Sequence, residues 1–238
     1  MVAGDSLQAS TIFNNAKERA RQAGKKKTIK EIAEVISEEY KRQLRKNIET
    51  GVLNPFGLNY DTYKEALNTF PSWISVSIFT SIKNYDFEEM GVEFLIFGLD
   101  EGVPHIYSVG IGGKIDCHDH IGFAIIGSGR RQALSEMTKY PYSPDIHFLE
   151  SIRRIYYSKK SSERARGVGK ETDLLVLHSM VEKEKITPVL FIPDKDIFRS
   201  LDMSIEGTKS VEESAVQATL KSLEREFDKY VKREEKKK

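Results

Sequence analysis

The stretch from Ile121 to Met137, IGFAIIGSGRRQALSEM, restricts the fold more than any other part of the sequence. A short apolar run, Phe123 to Ile126, meets Gly127-Ser128-Gly129, and an amphipathic pattern follows with Ala133, Leu134 and Met137 on one side. A chain that turns at once from extended to helical backbone needs angles that glycine tolerates and other residues resist. The stretch therefore predicts a strand, a tight turn and a helix.

The rest of the chain has room for a real core around that unit. With 238 residues, 39% hydrophobic and 31% charged, it has the composition of a globular protein with heavily charged helical surfaces. Lysine and arginine total 37 against 36 acidic residues, so no global field favours nucleic acid or a membrane surface, and neither is expected as a partner. The single cysteine, Cys117, excludes an internal disulfide framework. No apolar run reaches bilayer length and no secretory leader follows Met1, which together predict a cytoplasmic location.

Helices dominate the first ninety residues. Asp5 or Ser6 can cap a first helix carrying Leu7, Ile12, Phe13 and Ala16 or Ala20 as its apolar stripe. Thr28 and Glu31 stand at capping-box spacing before a second helix, with Ile29, Ile32, Ala33, Ile36, Tyr40 and Leu44 on one face to about Ile48. A loop at Pro55 and Gly57 and a short helix from Tyr60 to Asn68 follow. Pro71 to Ile82 fits neither period cleanly and is assigned to helix.

From Gly91 the texture changes. Val92 to Leu99 and His105 to Val109 read as a hairpin across Asp100-Glu101-Gly102, and a short strand at Lys114 to Cys117 leads into the opening stretch. Beyond it, Asp145 is placed as the cap of a helix with Ile146, Leu149, Ile152, Ile155 and Tyr156 inward. Strands at Thr172 to Met180 and Thr187 to Ile192 form a second hairpin across Glu182 to Lys185, and Asp194 to Leu201 is a short helix. A polar linker near Gly207 leads to a charged helix from Val211. The domain plan is thus 1–206 and a tail, 207–238. Paired helices between antiparallel strands, without βαβ alternation, indicate an α+β fold.

The reactive motifs are weak when taken singly. Ser128 lacks the Gly-x-Ser-x-Gly spacing of a nucleophile elbow, because residues 126 and 130 are Ile and Arg. Gly127-x-Gly129 fails as a dinucleotide loop at Gln132, and Gly167-Val168-Gly169-Lys170 fails as a phosphate loop because Glu171 follows the lysine. Asp116, Cys117, His118, Asp119 and His120 concentrate metal-ligand types. Neighbours along a strand face opposite ways, so only alternate members such as His118 and His120 could converge, and a polar turn is the simpler reading. His105, His147 and His178 stand alone. No metal and no cofactor is expected.

The order of these motifs is more specific than any one of them. Val2-Ala3-Gly4-Asp5-Ser6 opening a helix, FLIFGLDEGVPHIYSVGIGG at 94–113, AIIGSGRRQAL at 124–134 and GVGKETDLLVL at 167–177 resemble, in succession, a proteasome-family subunit of the Ntn-hydrolase superfamily. The resemblance covers about residues 2 to 192. It implies an Ntn-hydrolase-like αββα four-layer sandwich, incomplete at the N-terminus, and assembly into a homo-oligomeric ring or with related subunits.

It also implies a chemistry. Active members use an N-terminal threonine whose own amine is the base, helped by an Asp and a Lys on early strands, to hydrolyse peptide bonds in polypeptide substrates. No residue of this sequence matches those three. Ser128 alone matches a supporting position, the Gly-Ser-Gly serine near the nucleophile's amine. The family's Asp before a Ser-Gly has no counterpart in ERARGVG, 163–169. The expectation is a truncated threonine-type peptidase subunit, inactive as this chain. The alternatives are a non-catalytic structural subunit and an unrelated α+β ligand-binding protein.

Overall fold

Local capping starts the helices where the sequence places them. Asp5 Oδ1 accepts from the Leu7 and Gln8 N–H groups at 2.8 and 2.9 Å, and α1 runs Ser6–Gln22. Thr28 and Glu31 complete a reciprocal capping box, and α2 runs Ile29–Ile48 before widening into a π-helical turn, Glu49–Leu53. The computed structural model describes residues 1–24, 27–67, 69–85, 90–139, 143, 145–182, 185–191, 197–199, 201–203, 221–222 and 225. These fall into two units, 1–100 with 105–119, and 101–104 with 120–238.

The first unit adds α3 (Tyr60–Ala66), α4 (Ser72–Tyr85) and a four-stranded sheet of β1 (Val2–Ala3), β2 (Glu93–Asp100), β3 (Val103–Val109) and β4 (Ile115–Cys117), in the order β1-β2-β3-β4. Val2 lies opposite Phe94, and Tyr107 opposite Cys117, both pairings antiparallel. Two residues link β2 to β3. Glu101 and Gly102 both take positive φ, 52° and 87°, the requirement of a type I′ hairpin turn.

One helical side of α1 and α2 closes over this sheet. Ala9, Ile12, Ala16, Ala33, Ile36 and Tyr40 pack with Met90, Val92, Phe94 and Val109. Each large side chain buried there contributes roughly 1.5–3 kcal/mol of transfer free energy. A charge lies beside it. Glu39, buried on α2, is held by Arg19 of α1 and by Arg42, each at 2.6 Å, so the burial of its carboxylate is compensated by two guanidinium groups. A second cluster, Ile48, Val52, Leu53 and Ile78, fixes α4 to the π-helical turn.

The second unit contains α5 (Arg130–Met137), α6 (Phe148–Ser162) and a hairpin of β5 (Val176–Glu182) and β6 (Lys185–Phe191), with Val176 opposite Phe191. Leu149, Ile152 and Tyr156 of α6 pack with Val176, Ile197 and Leu201. Tyr156 donates its hydroxyl to Asp202 at 2.6 Å, and burial followed by that carboxylate pushes the phenol well above its ordinary pKa.

The α+β class and the antiparallel pairing agree with the sequence, and several boundaries do not. Phe123 to Ile126 carries no strand assignment, because an apolar run alone does not supply a ladder; its residues are half-buried throughout rather than alternating. Residues 172–175 likewise precede β5 rather than belonging to it. His147, not Asp145, occupies the cap of α6, and Ile155 points outward at 46% exposure. On α1, Leu7 and Phe13 are exposed while Ala9 takes the inward place. The segment assigned to helix at Pro71 to Ile82 is helical from Ser72, as α4. Of the short helix expected at Asp194 to Leu201, residues 197–199 and 201–203 are helical; the rest of it, and nearly all of the charged C-terminal helix, lie outside the described residues.

Candidate functional site

The Gly127-Ser128-Gly129 turn is held by backbone rather than by side chains. Gly127 has φ 92°, which an L side chain adopts only with strain, and its carbonyl accepts from the Arg130 N–H at 3.1 Å. Gly129 is buried for a different reason. A Cβ there would lie 2.7 Å from Ser162 Cβ and 3.1 Å from Val168 Cγ2, so the first turn of α5 sits directly on the end of α6.

That contact brings the turn to the loop after α6. Gly167, at φ 85°, lies beside the turn, and a Cβ on it would make an ordinary contact with Ser128 Oγ at 3.9 Å. Lys159 ties the loop down, donating to the Gly169 carbonyl at 2.8 Å and pairing with Glu163 at 2.9 Å. Val168 N–H donates to the Ala165 carbonyl, and Ala165 N–H to that of Ser162. Residues 163–169, which showed no helper motif in sequence, therefore adjoin Ser128 in space.

Ser128 itself is exposed, and among the described residues no histidine or carboxylate hydrogen-bonds to its hydroxyl. A serine without an adjacent base is a poor nucleophile. The turn presents a hydroxyl and a run of backbone polar groups to the loop after α6.

The Asp116 to His120 cluster is built in the opposite way, by side chains. Asp119 accepts from His105 Nδ1 and from the Ile106 N–H, both at 2.7 Å. Although desolvation acts to raise it, these hydrogen bonds hold the Asp119 carboxyl below its ordinary pKa. His118 Nε2 meets Ser108 Oγ at 2.8 Å, and Lys114 pairs with Asp116 at 2.8 Å. Burial, then the neighbouring Cys117 thiol, raises the Tyr107 phenol. The described residues contain no group of three or more His, Cys, Asp or Glu side chains that could hold a metal ion. The cross-strand partners β3 supplies account for this cluster, and they were not readable from spacing within it.

A groove of about 400 Å³ opens elsewhere in the first unit, lined by Met1, Val2, Ala9, Phe13, Phe94 and Phe97. Among the described residues β1, at its rim, pairs with β2 alone. No described helix is long and apolar enough to cross a membrane.

The succession of hairpin, glycine turn and following helix also decides a comparison. Residues 57–156 match the proteasome-subunit family. The match spans α3 through most of α6 and includes both Ser128 and the Asp116 to His120 ladder, so the resemblance read from the motifs is borne out. Among solved structures, the Anbu complex from Pseudomonas aeruginosa, a helical assembly, is similar over 98% of this chain and 77% of its own, with TM-score 0.50 and 13% identity. Anbu from Hyphomicrobium sp. strain MC1 matches at TM-score 0.48 and 14% identity over 90% of this chain and 79% of its own. A mutant of that protein gives the same score and identity over 90% and 78%. The first of these shows a shared fold. No curated protein sequence matches the chain.

Proposed function

We propose that the chain is a proteasome-like subunit that works within an assembly of like subunits, and that this polypeptide does not hydrolyse peptide bonds by itself. The observation that carries the reading is the proteasome-subunit match over residues 57–156, whose Gly-Ser-Gly turn packs against the loop after α6. The helical assembly formed by the Anbu complex of similar fold supports association between like subunits.

Within that reading Ser128 is a positioning residue. Its hydroxyl, next to Gly167, orients the groups of a nucleophile supplied within the assembly. No residue of this sequence matches the family's Thr, Asp and Lys, so threonine-type peptide hydrolysis is assigned to the assembly rather than to this polypeptide alone. The Glu163 to Gly169 loop, tied down by Lys159 of α6, has no match to the family's Asp, which favours a structural over a catalytic subunit as the second reading. The site of action is cytoplasmic.

Sedimentation velocity on the purified chain tests the reading. The expected result is a mass that is a multiple of 27.1 kDa at micromolar concentration. A 27.1 kDa species at all concentrations overturns it.

A further inference from the structure

Helix α4 is the one place among the described helices where a continuous apolar stripe is turned outward on an element already anchored by its other side. Ile78 is buried, and Ile74, Ile82 and Tyr85 pack on the Ile48, Val52 and Leu53 cluster. On the far side Trp73, Val76 and Phe79 are 72%, 62% and 60% exposed. Residues three apart are neighbours on a helix surface, so the three form one slanted row. From Ser72 to Ile82 no side chain is charged, in a sequence that is 31% charged.

We propose that this stripe is an interface with a second copy of the chain, the two α4 helices lying antiparallel about a twofold axis at Val76. The spacing is self-complementary. Trp73 and Phe79 stand three residues to either side of Val76, about 4.5 Å along the axis at 1.5 Å per residue, so each Trp73 meets Phe79 of the partner subunit. The small Val76 at the centre lets the helices approach to roughly 8–10 Å. Charge agrees with this pairing. Thr80 falls opposite Ser72 of the partner subunit and α4 carries no charge from Ser72 to Ile82, so no like charges meet along the row.

Area decides what kind of contact it is. The three side chains expose on the order of 400 Å² together, within the range of functional patches but about half of the roughly 800 Å² per partner of a stable interface. The contact therefore belongs to a larger assembly of copies and does not stand alone. It rests on the like-subunit reading above and adds to it the surface and the symmetry.

The test replaces Val76 by Cys in a Cys117→Ser background, so that the only thiol lies on the proposed axis. Mild oxidation is expected to convert most of the Val76→Cys chain to a disulfide-linked dimer, whereas Ser81→Cys, exposed but on another side of α4, stays monomeric on a denaturing gel. Trp73 is the sole tryptophan, so its emission is expected to shift to the blue as concentration rises, and Val76→Glu to abolish the shift. Assembly by sedimentation without cross-linking at position 76 overturns this inference and leaves the proposed function standing. Absence of any assembly overturns both. A blue-shifted Trp73 emission that does not depend on concentration shows the stripe covered from within the chain, and likewise overturns the inference.

Discussion

Two turns of this molecule carry polar side chains, and they are built on different principles. Within Asp116 to His120 three residues of reactive type are held by neighbours: Asp119 by His105 and the Ile106 N–H, and His118 by Ser108, all from β3, and Asp116 by Lys114 beside it in sequence. At Gly127 to Gly129 a single serine is exposed, and the conformation is set by one positive φ and one close approach between helices. Chemical density marks the first and backbone constraint the second. The second is the better guide to the fold, because cross-strand partners can satisfy any polar side chain, whereas few residues other than glycine tolerate both demands of the turn.

Breaking the backbone-built turn is expected to cost the most. In Gly129→Val the new side chain collides with Ser162 Cβ and its carbonyl oxygen, which stands 3.3 Å from the position of a Cβ, and the α5–α6 contact must open. A loss of about 3 kcal/mol in thermal or denaturant unfolding is expected. A loss under 1 kcal/mol means that the close packing is not what holds the turn.

The side-chain-built turn should respond less, and with a pH signature. Asp119→Ala leaves the His105 imidazole and the Ile106 N–H without their acceptor, at a cost of about 2 kcal/mol. The Asp119 carboxyl is depressed in the folded state. Its contribution is therefore fully present above the unfolded carboxylate pKa, near 3.9, and lost as pH falls through the lower folded value. Melting temperatures of wild type and Asp119→Ala are expected to differ at pH 6, with the gap starting to narrow only below about pH 4 and closing beneath the depressed folded value. A gap that is independent of pH assigns the effect to packing.

A smaller effect is expected at the loop beside Ser128. Lys159→Met keeps the apolar stem and removes the ammonium from Gly169 and Glu163, at about 1 kcal/mol. Hydrogen exchange should rise at 163–170 and stay unchanged at 103–119. Exchange that rises equally in both makes the two regions one cooperative element.

The sequence disclosed the caps at Asp5 and Thr28, the hairpin at Glu101-Gly102 and the helix after Gly129, because each is written in contiguous residues. It did not disclose Glu39, which reads as one more solvated charge on α2 until Arg19 arrives from α1. Nor could it place the Glu163 to Gly169 loop beside Ser128, since that proximity is made by Gly129 lying on Ser162, more than thirty residues away in sequence. The assignment of Phe123 to Ile126 to a strand failed for the same reason. Apolar character is local, and a ladder partner is not.

Ser128→Ala has the smallest expected effect, within about 0.5 kcal/mol of wild type, since the side chain is exposed and the turn is held by its glycines. The same variant gives the most direct test of the role assigned to the turn. Turnover of fluorogenic peptides is measured for the purified wild-type chain and for Ser128→Ala. The account predicts no turnover above the uncatalysed rate by either. Turnover by the wild type that Ser128→Ala abolishes would contradict it, and would make the serine itself the nucleophile.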